Sequence, residues 1–337
     1  KTNMLEAGEW RPTAKAQDGK TVGFHISGLY SPVGWLSWAD IARQWEAAQG
    51  SDDALRAFRN TVLGETWFEN SDAPDWQILA ERREPLQPGI VPEGAYYLTA
   101  GADVQRDRIE VDVWAWGPGL ESWLIEHIVL EGTVEDPALW QQAAEVLDMT
   151  FPVVGHEDHR LQISKFCIDT GYEAHAVYSW ARRMATPRLV PIKGVEGFNR
   201  AAPVVGPTYV DLTLQGKRLR RGAKLWTVAV STFKAEFYRN LRLGRPTREQ
   251  LEAGEGFPPG TVHLPEWVNV EWLKQATAEQ LVTVRNRRGF AKYEWQKMRE
   301  RNEALDLRVY ARAGAWLAGV DRWGEEQFKA AFDHGSP

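Results

Sequence analysis

The chain has 337 residues, 43% of them hydrophobic and 26% charged, with a formal net charge of −6. That length suits one large globular domain plus a smaller one. The single cysteine, Cys167, excludes a disulfide framework and a cysteine-rich zinc site, and no apolar run is long enough to span a bilayer or serve as a signal peptide.

The chain opens Lys1-Thr2-Asn3-Met4 without an initiator methionine, as expected of a piece of a longer protein, and the cytoplasm is the expected compartment. Residues 1–21 read as loop. Gly19-Lys20-Thr21 looks like the end of a phosphate-binding loop, but the pattern needs a glycine where Ala14 stands, and no apolar strand precedes it. It is rejected. Residues 22–34 are apolar but punctuated by Gly23, Gly28, Pro32 and Gly34, so they read as strand or loop. Trp38 to Gln49 has helical spacing, and Asp52-Asp53 can cap a second helix from Ala54 to about Leu63. Residues 69–94, with Pro74, Pro85, Pro88 and Pro92, read as linker.

A tighter domain is expected from Gly94 to residue 320, with 1–93 ahead of it and a tail over 321–337. Its first strand ends at Asp103. Arg108–Trp116 alternates, with Ile109, Val111, Val113 and Ala115 on one face and Glu110, Asp112, Trp114 and Trp116 on the other. Ser122–Leu130 follows as a third strand after the Pro118-Gly119 turn, completing an antiparallel meander. Pro137–Leu147 fits a helix. Then come a strand ending at Asp169, a helix over 173–184 and a strand Arg188–Ile192. Three hairpin strands, a helix, then strand–helix–strand is the order of an RNase H-like α/β fold, a mixed sheet flanked by helices. A further hairpin is expected over 200–225, helices over 225–241 and 276–284, loop over 248–265, and a last helix from Tyr293 to Ala318. Most of the 17 tryptophans are expected in the core or as interface anchors.

Three carboxylates stand out. Asp103 and Asp169 each end an apolar strand. With about 100° per residue along the last helix, Asp306 shares a face with Trp295, Asn302, Val309, Tyr310, Ala313 and Leu317, while Arg301, Arg308, Arg312 and Ala315 fall opposite. Acids on packing surfaces are costly to bury, and a shared divalent cation offsets that cost. Glu303 lies beside Asp306 and can join the site or orient a ligand. Strand-end aspartates are also common turn residues, so each acid alone has a structural reading. Asp112 is expected to be exposed, and His156-Glu157-Asp158-His159 to be a solvated turn rather than a metal site. From Arg182 to Arg248 stand 15 Lys/Arg against 3 acids, a local excess of +12 in an acidic chain. Such a stretch suits a phosphate backbone, with a merely solvated surface as the alternative.

The segments Thr99–Arg108, Ile168-Asp169-Thr170-Gly171, Pro191-Ile192-Lys193-Gly194 and Arg301-Asn302-Glu303-Ala304-Leu305-Asp306 resemble the large terminase subunit of lambda-type tailed phages, in its C-terminal nuclease portion. Gly28–Pro32 and Phe58–Glu65 resemble the stretch joining the ATPase to the nuclease in that family. The resemblance covers most of residues 22–320. It implies an RNase H-like, Mg²⁺- or Mn²⁺-dependent endonuclease that cuts concatemeric viral DNA during packaging in the host cytoplasm. Two ions would be held by Asp103, Asp169 and Asp306, with Glu303 an alternative third ligand. Lys193, with Arg218, Arg220 and Arg221, would hold the DNA backbone. Double-stranded DNA, the terminase small subunit and the portal protein are the implied partners, and no membrane is. The family's phosphate-binding loop is missing, so no ATP hydrolysis is expected from this chain. Two alternatives stay open: an RNase H-like transposase or junction resolvase, and a non-catalytic module docking on DNA or the portal. The tail, with Trp323 and Phe328, is either a plain terminal helix or a portal contact.

Overall fold

A computed structural model of the chain describes residues 1–10, 24–48, 54, 57–64, 73–198, 202–214, 217–285 and 291–334. The rejected Gly19-Lys20-Thr21 motif and the Asp52-Asp53 cap lie outside the described residues. Two compact units are present, Lys1–Ser71 and Asp72–Pro337.

The smaller unit holds α1 (Thr2–Glu6), a 3₁₀ turn at Gly28–Tyr30, α2 (Trp38–Ala48) and a π-helical turn at Arg59–Leu63. Its core is small: Ile41, Ala48, Phe58 and Val62. Gly28 is required there, because a Cβ would stand 2.4 Å from the Val62 carbonyl oxygen.

The larger unit begins with α3 (Trp76–Glu81), capped by Asp75. The proline-rich stretch read as linker is therefore part of this unit, with Leu79 and Val91 buried in its cores. Next come β1 (Tyr97–Val104), β2 (Arg108–Trp116), β3 (Ser122–Glu131), α4 (Pro137–Leu147), β4 (Thr150–Val153), β5 (His156–Asp169), α5 (Ala174–Met184), β6 (Leu189–Val195), β7 (Val204–Leu214) and β8 (Lys217–Ala229). The chain continues through α6 (Val230–Leu241), α7 (Arg248–Glu252), β9 (Val262–His263), α8 (Val270–Ala276), β10 (Glu279–Arg285), β11 (Ala291–Lys297), α9 (Glu303–Ala318) and α10 (Glu325–His334).

The main sheet runs β7-β8-β6-β5-β1-β2-β3-β9, with β4 added on β5. The strands β1, β2 and β3 are antiparallel neighbours, while β5 lies parallel to β1 and β6 parallel to β5. This is the RNase H-like order expected from the sequence. Leu98, Ala100 and Ala102 alternate with Thr99, Gly101 and Asp103 along β1, so each face carries its own set. The first set packs with Ile109, Val111, Trp140, Phe166 and Trp180 under α4 and α5. The second lies beneath α9, where Thr99 Oγ1 donates to the Ala311 carbonyl at 2.8 Å.

Four stretches depart from the periodicity reading. The strand β8 runs to Ala229, so α6 starts five residues later than expected. The loop after it contains α7 and β9. The segments expected to be helical at 276–284 and at the start of the last helix instead pair as the β10–β11 hairpin, Leu281 opposite Trp295 and Thr283 opposite Tyr293. β-Branched Val282, Thr283 and Val284 favour the pleated backbone, and in so short an apolar run helical and strand periods are indistinguishable. Finally, α9 has no wet far side. Arg308 and Arg312 are 1% and 2% exposed. The Arg308 guanidinium lies over the rings of Trp114 at 4.2 Å and Trp116 at 4.4 Å. Arg312 pairs with Glu236 at 2.6 Å and with Asp321. Cations with such partners can occupy a core face that a hydropathy count assigns to solvent.

Candidate functional site

Asp103 and Asp169 reach one end of the sheet because β1 and β5 run parallel. Ala102 is level with Ile168, so the two acids stand next in line on neighbouring strands. Asp306, in the first turn of α9, comes to the same end because α9 lies directly on β1. Only glycine permits this at position 101, two residues before Asp103: a Cβ there would stand 2.0 Å from the carbonyl oxygen of Leu307, the residue after Asp306.

Asp103 is 7% exposed, and Gln105 Nε2 donates to it. Its carboxyl is pushed up to about 8, first by burial, then by repulsion from Asp306 and Asp169 and, less, from Glu303. Asp103 is thus the member of the four that feels the other three. Asp169 is also raised, chiefly by burial, against the Gly171 amide, which donates to it at 2.8 Å, and the nearby Lys193 charge. Asp306 is raised to about 6 by burial, with Lys234 acting in the opposite direction. The Tyr310 hydroxyl is buried among these groups and held well above its ordinary pKa by burial and by Asp306, Asp169 and Asp103.

The donor set fits a hard divalent cation in its chemistry: carboxylate oxygens, no soft ligand, and at Asp103 a nearly buried acid with no described basic side chain paired to it. The acids converge without closing. Among the described residues no group of three or more His, Cys, Asp or Glu side chains is arranged tightly enough to hold an ion as it stands.

Glu303 is engaged elsewhere. It accepts from Arg108 at 3.2 Å and Arg301 at 3.3 Å, and both arginines also hold Glu110 at 2.6 Å. Three participants escaped the sequence reading. Lys234 Nζ donates to both oxygens of Glu279 at 2.8 Å and lies 3.4 Å from Asp306 Oδ1. Asn302 Nδ2 bridges Glu279 Oε1 at 2.8 Å and Asp306 Oδ2 at 2.9 Å. Asn302 was signalled by its place on the Asp306 face and in the Arg301–Asp306 segment but was given no role, while Glu279 was hidden by the helical reading of its strand.

Of the basic residues, Lys193 is exposed on β6 and its charge is felt at Asp169. Arg218, Arg220 and Arg221 are exposed on β8. Arg218 pairs with Asp211 at 2.8 Å, and Arg221 stacks on Tyr209 at 5.6 Å. Arg221 and Lys224 join Lys165 and Arg182 around a cavity of 590 Å³.

Two secondary expectations are corrected. Asp112 is fully buried, bonded to His127 Nδ1 at 2.6 Å and Trp272 Nε1 at 3.2 Å, because both faces of β2 are covered. The His156–His159 segment starts β5 rather than forming a turn, and His159 stacks on Phe332 at 4.0 Å. The segment read as tail carries α10, whose Phe328 and Phe332 pack against Tyr96. No helix of the described residues is long and apolar enough to cross a membrane.

The family model described as "Terminase large subunit gpA, endonuclease domain" matches residues 21–326. The terminase large subunit of Escherichia phage lambda is 33% identical over 308 residues, 90% of this chain and 44% of that protein. The terminase large subunit of Enterobacteria phage P21 is 31% identical over 308 residues, 90% of this chain and 45% of that protein. The chain thus spans somewhat under half the length of these curated relatives. Among solved structures, the crystal structure of the large terminase nuclease from thermophilic phage G20c aligns with TM-score 0.31 at 12% identity, covering 64% of this chain and 81% of that chain. With its family model spanning nearly the whole sequence, this chain belongs to the terminase large subunit gpA endonuclease domain family.

Proposed function

We propose that this chain is a Mg²⁺- or Mn²⁺-dependent endodeoxyribonuclease that cuts concatemeric viral DNA during genome packaging, by two-metal phosphodiester hydrolysis. What supports this is Asp103, a nearly buried carboxyl raised by Asp306, Asp169 and Glu303 and, among the described residues, without a basic side chain paired to it. Asp103, Asp169 and Asp306 would hold the ions. When bound, the ions supply an activated water and stabilise the leaving 3′ oxygen. Hydrolysis would join the water oxygen to phosphorus and release O3′, which takes up a proton from solvent as the attacking water loses one to it.

The chain's own groups do the positioning. The Asp169 carboxylate is oriented by the Gly171 amide, and the turn behind it is locked by Thr170 Oγ1 donating to the Ile192 carbonyl at 2.8 Å. Lys193, beside Asp169, would neutralise a phosphate of the strand being cut, and Arg218, Arg220 and Arg221 would follow the backbone further away. Double-stranded DNA is the proposed substrate, the terminase small subunit and portal protein the proposed partners, and the host cytoplasm the proposed compartment.

The test is nicking of supercoiled plasmid in Mn²⁺ by the parent and by Asp103→Ala. The expected result is a loss of at least 100-fold, on the order of removing a principal metal ligand. Equal cleavage by the two proteins rejects the assignment, and DNA binding without cation-dependent cleavage by the parent favours a docking module.

A further inference from the structure

We infer that Lys234 is the resident counter-cation of the carboxylate cluster: its ammonium holds Asp306 while no metal is bound, and an incoming divalent cation competes with it. Lys234 is 6% exposed on α6, between β10 and the start of α9. Its two contacts are unequal. Glu279 takes it through both oxygens at 2.8 Å, whereas Asp306 Oδ1 stands at 3.4 Å. The Glu279 pair is thus the anchor and the Asp306 contact the one that yields.

The remaining contacts fix that asymmetry. Glu279 is nearly buried, and its backbone is clamped by Tyr238, whose hydroxyl donates to the Glu279 carbonyl at 2.8 Å. Asn302 Nδ2 spans Glu279 and Asp306, holding the second Asp306 oxygen at 2.9 Å. Both oxygens of Asp306 are therefore engaged, one by a full positive charge. Lys234 thus stands between two acids, and its single positive charge is shared unequally between Glu279 and Asp306. A cation that draws Asp306 towards Asp103 must win it from Lys234, which then rests on Glu279 alone. Lys234 acts through Asp306 and is a positioning residue.

This inference rests on the cation-holding reading of the three aspartates, and the experiment separates the two. Mn²⁺ binding is titrated calorimetrically, without DNA, in the parent chain, Lys234→Met and Lys234→Arg. Losing the competing ammonium is expected to tighten Mn²⁺ binding about tenfold in Lys234→Met, with return towards the parent affinity in Lys234→Arg. A merely structural lysine would leave affinity unchanged or weaken it, and either result overturns the inference. Should Lys234→Met fail to fold, Glu279→Gln serves. Freed from its anchor, Lys234 would close on Asp306 and weaken Mn²⁺ binding, and unchanged or tighter binding again overturns the inference. Absence of Mn²⁺ binding by the parent overturns the cation-holding reading together with this one.

Discussion

Gly101 lies so close to Leu307 that a Cβ on the glycine would stand 2.0 Å from the leucine's carbonyl oxygen. The same Cβ would stand 2.8 Å from the Ala311 amide nitrogen, so no rotation of a side chain relieves the clash. This contact sets the height of α9 over β1, and with it the separation of Asp306 from Asp103. Gly101→Ala is expected to lower stability by about 2–4 kcal/mol, as overpacking against backbone does. It should reduce cation-dependent cleavage even where the protein remains folded. Urea unfolding and plasmid nicking measure both, and a wild-type midpoint and rate would refute the role.

Asp103→Asn is expected to stabilise the metal-free chain while abolishing cleavage. The carboxyl is raised from 3.8 to about 8, so its contribution is fully present below 3.8 and is lost as pH rises towards 8. At neutral pH the carboxyl is mostly protonated in the folded chain but ionised in the unfolded one, which costs stability, roughly 4 kcal/mol, a cost the neutral amide avoids. Thermal melts in EDTA at pH 7.5 should show a higher midpoint for the variant. A lower one contradicts the account.

His263 gives the fold its own pH dependence. Its ring is stacked on Trp123 at 4.9 Å, and its two nitrogens face Glu84 at 2.8 Å and Glu121 at 2.7 Å. Burial opposes the charged imidazole, but Glu121 and Glu84 outweigh it and the pKa rises above 6.5. That contribution is complete below 6.5 and disappears as pH climbs through the raised value. Burial likewise pushes Glu84 up, but His263 and Arg245 leave it below 4.5, so its contribution is lost on the acid side. His263→Gln should cost roughly 1–3 kcal/mol near pH 6 and flatten the alkaline decline. An unaltered stability–pH curve would be decisive against this.

Arg308 illustrates two opposing terms. Stacking on Trp114 and Trp116 stabilises the cation, by about 2 kcal/mol when desolvated. Against this, burial lowers its pKa to about 9, and its Nε and Nη1 have no hydrogen-bond partner among the described residues. Two unmade bonds cost about 2–6 kcal/mol together, so the stacking at best offsets them. Arg308→Met should shift stability by less than about 1.5 kcal/mol, whereas Trp116→Ala should cost about 3–5 kcal/mol. A large loss in the methionine variant would show that the charge itself is required.

Among the basic residues, Lys193→Ala should weaken duplex binding at all sequences and lower the salt slope by about one. Arg218→Ala should do less, because Asp211 already neutralises that guanidinium. Fluorescence anisotropy of a labelled duplex across salt concentrations compares them. Equal effects would mean the Asp211 pair opens on DNA.

Much of the larger unit was legible because alternation and turn residues are local. Arg108–Trp116 reads as a strand from its own side chains, and Asp136-Pro137 announces α4. The hairpin β10–β11 was not, because its strands hold their shape through each other. Arg308 and Arg312 misled for a related reason. Hydropathy ranks a guanidinium by its cost in an apolar medium and cannot register the Trp rings or the Glu236 carboxylate that receive it.

From the order of residues alone came the strand succession, the three aspartates and the family resemblance, all carried by contiguous segments. The tertiary structure decided which acids face each other and which are already taken. Glu303 is held by Arg108 and Arg301, and Asp306 is shared with Lys234 and Asn302. Pairing of charges depends on distances of a few ångströms between residues remote in the chain, and those distances exist only after the sheet and α9 have packed.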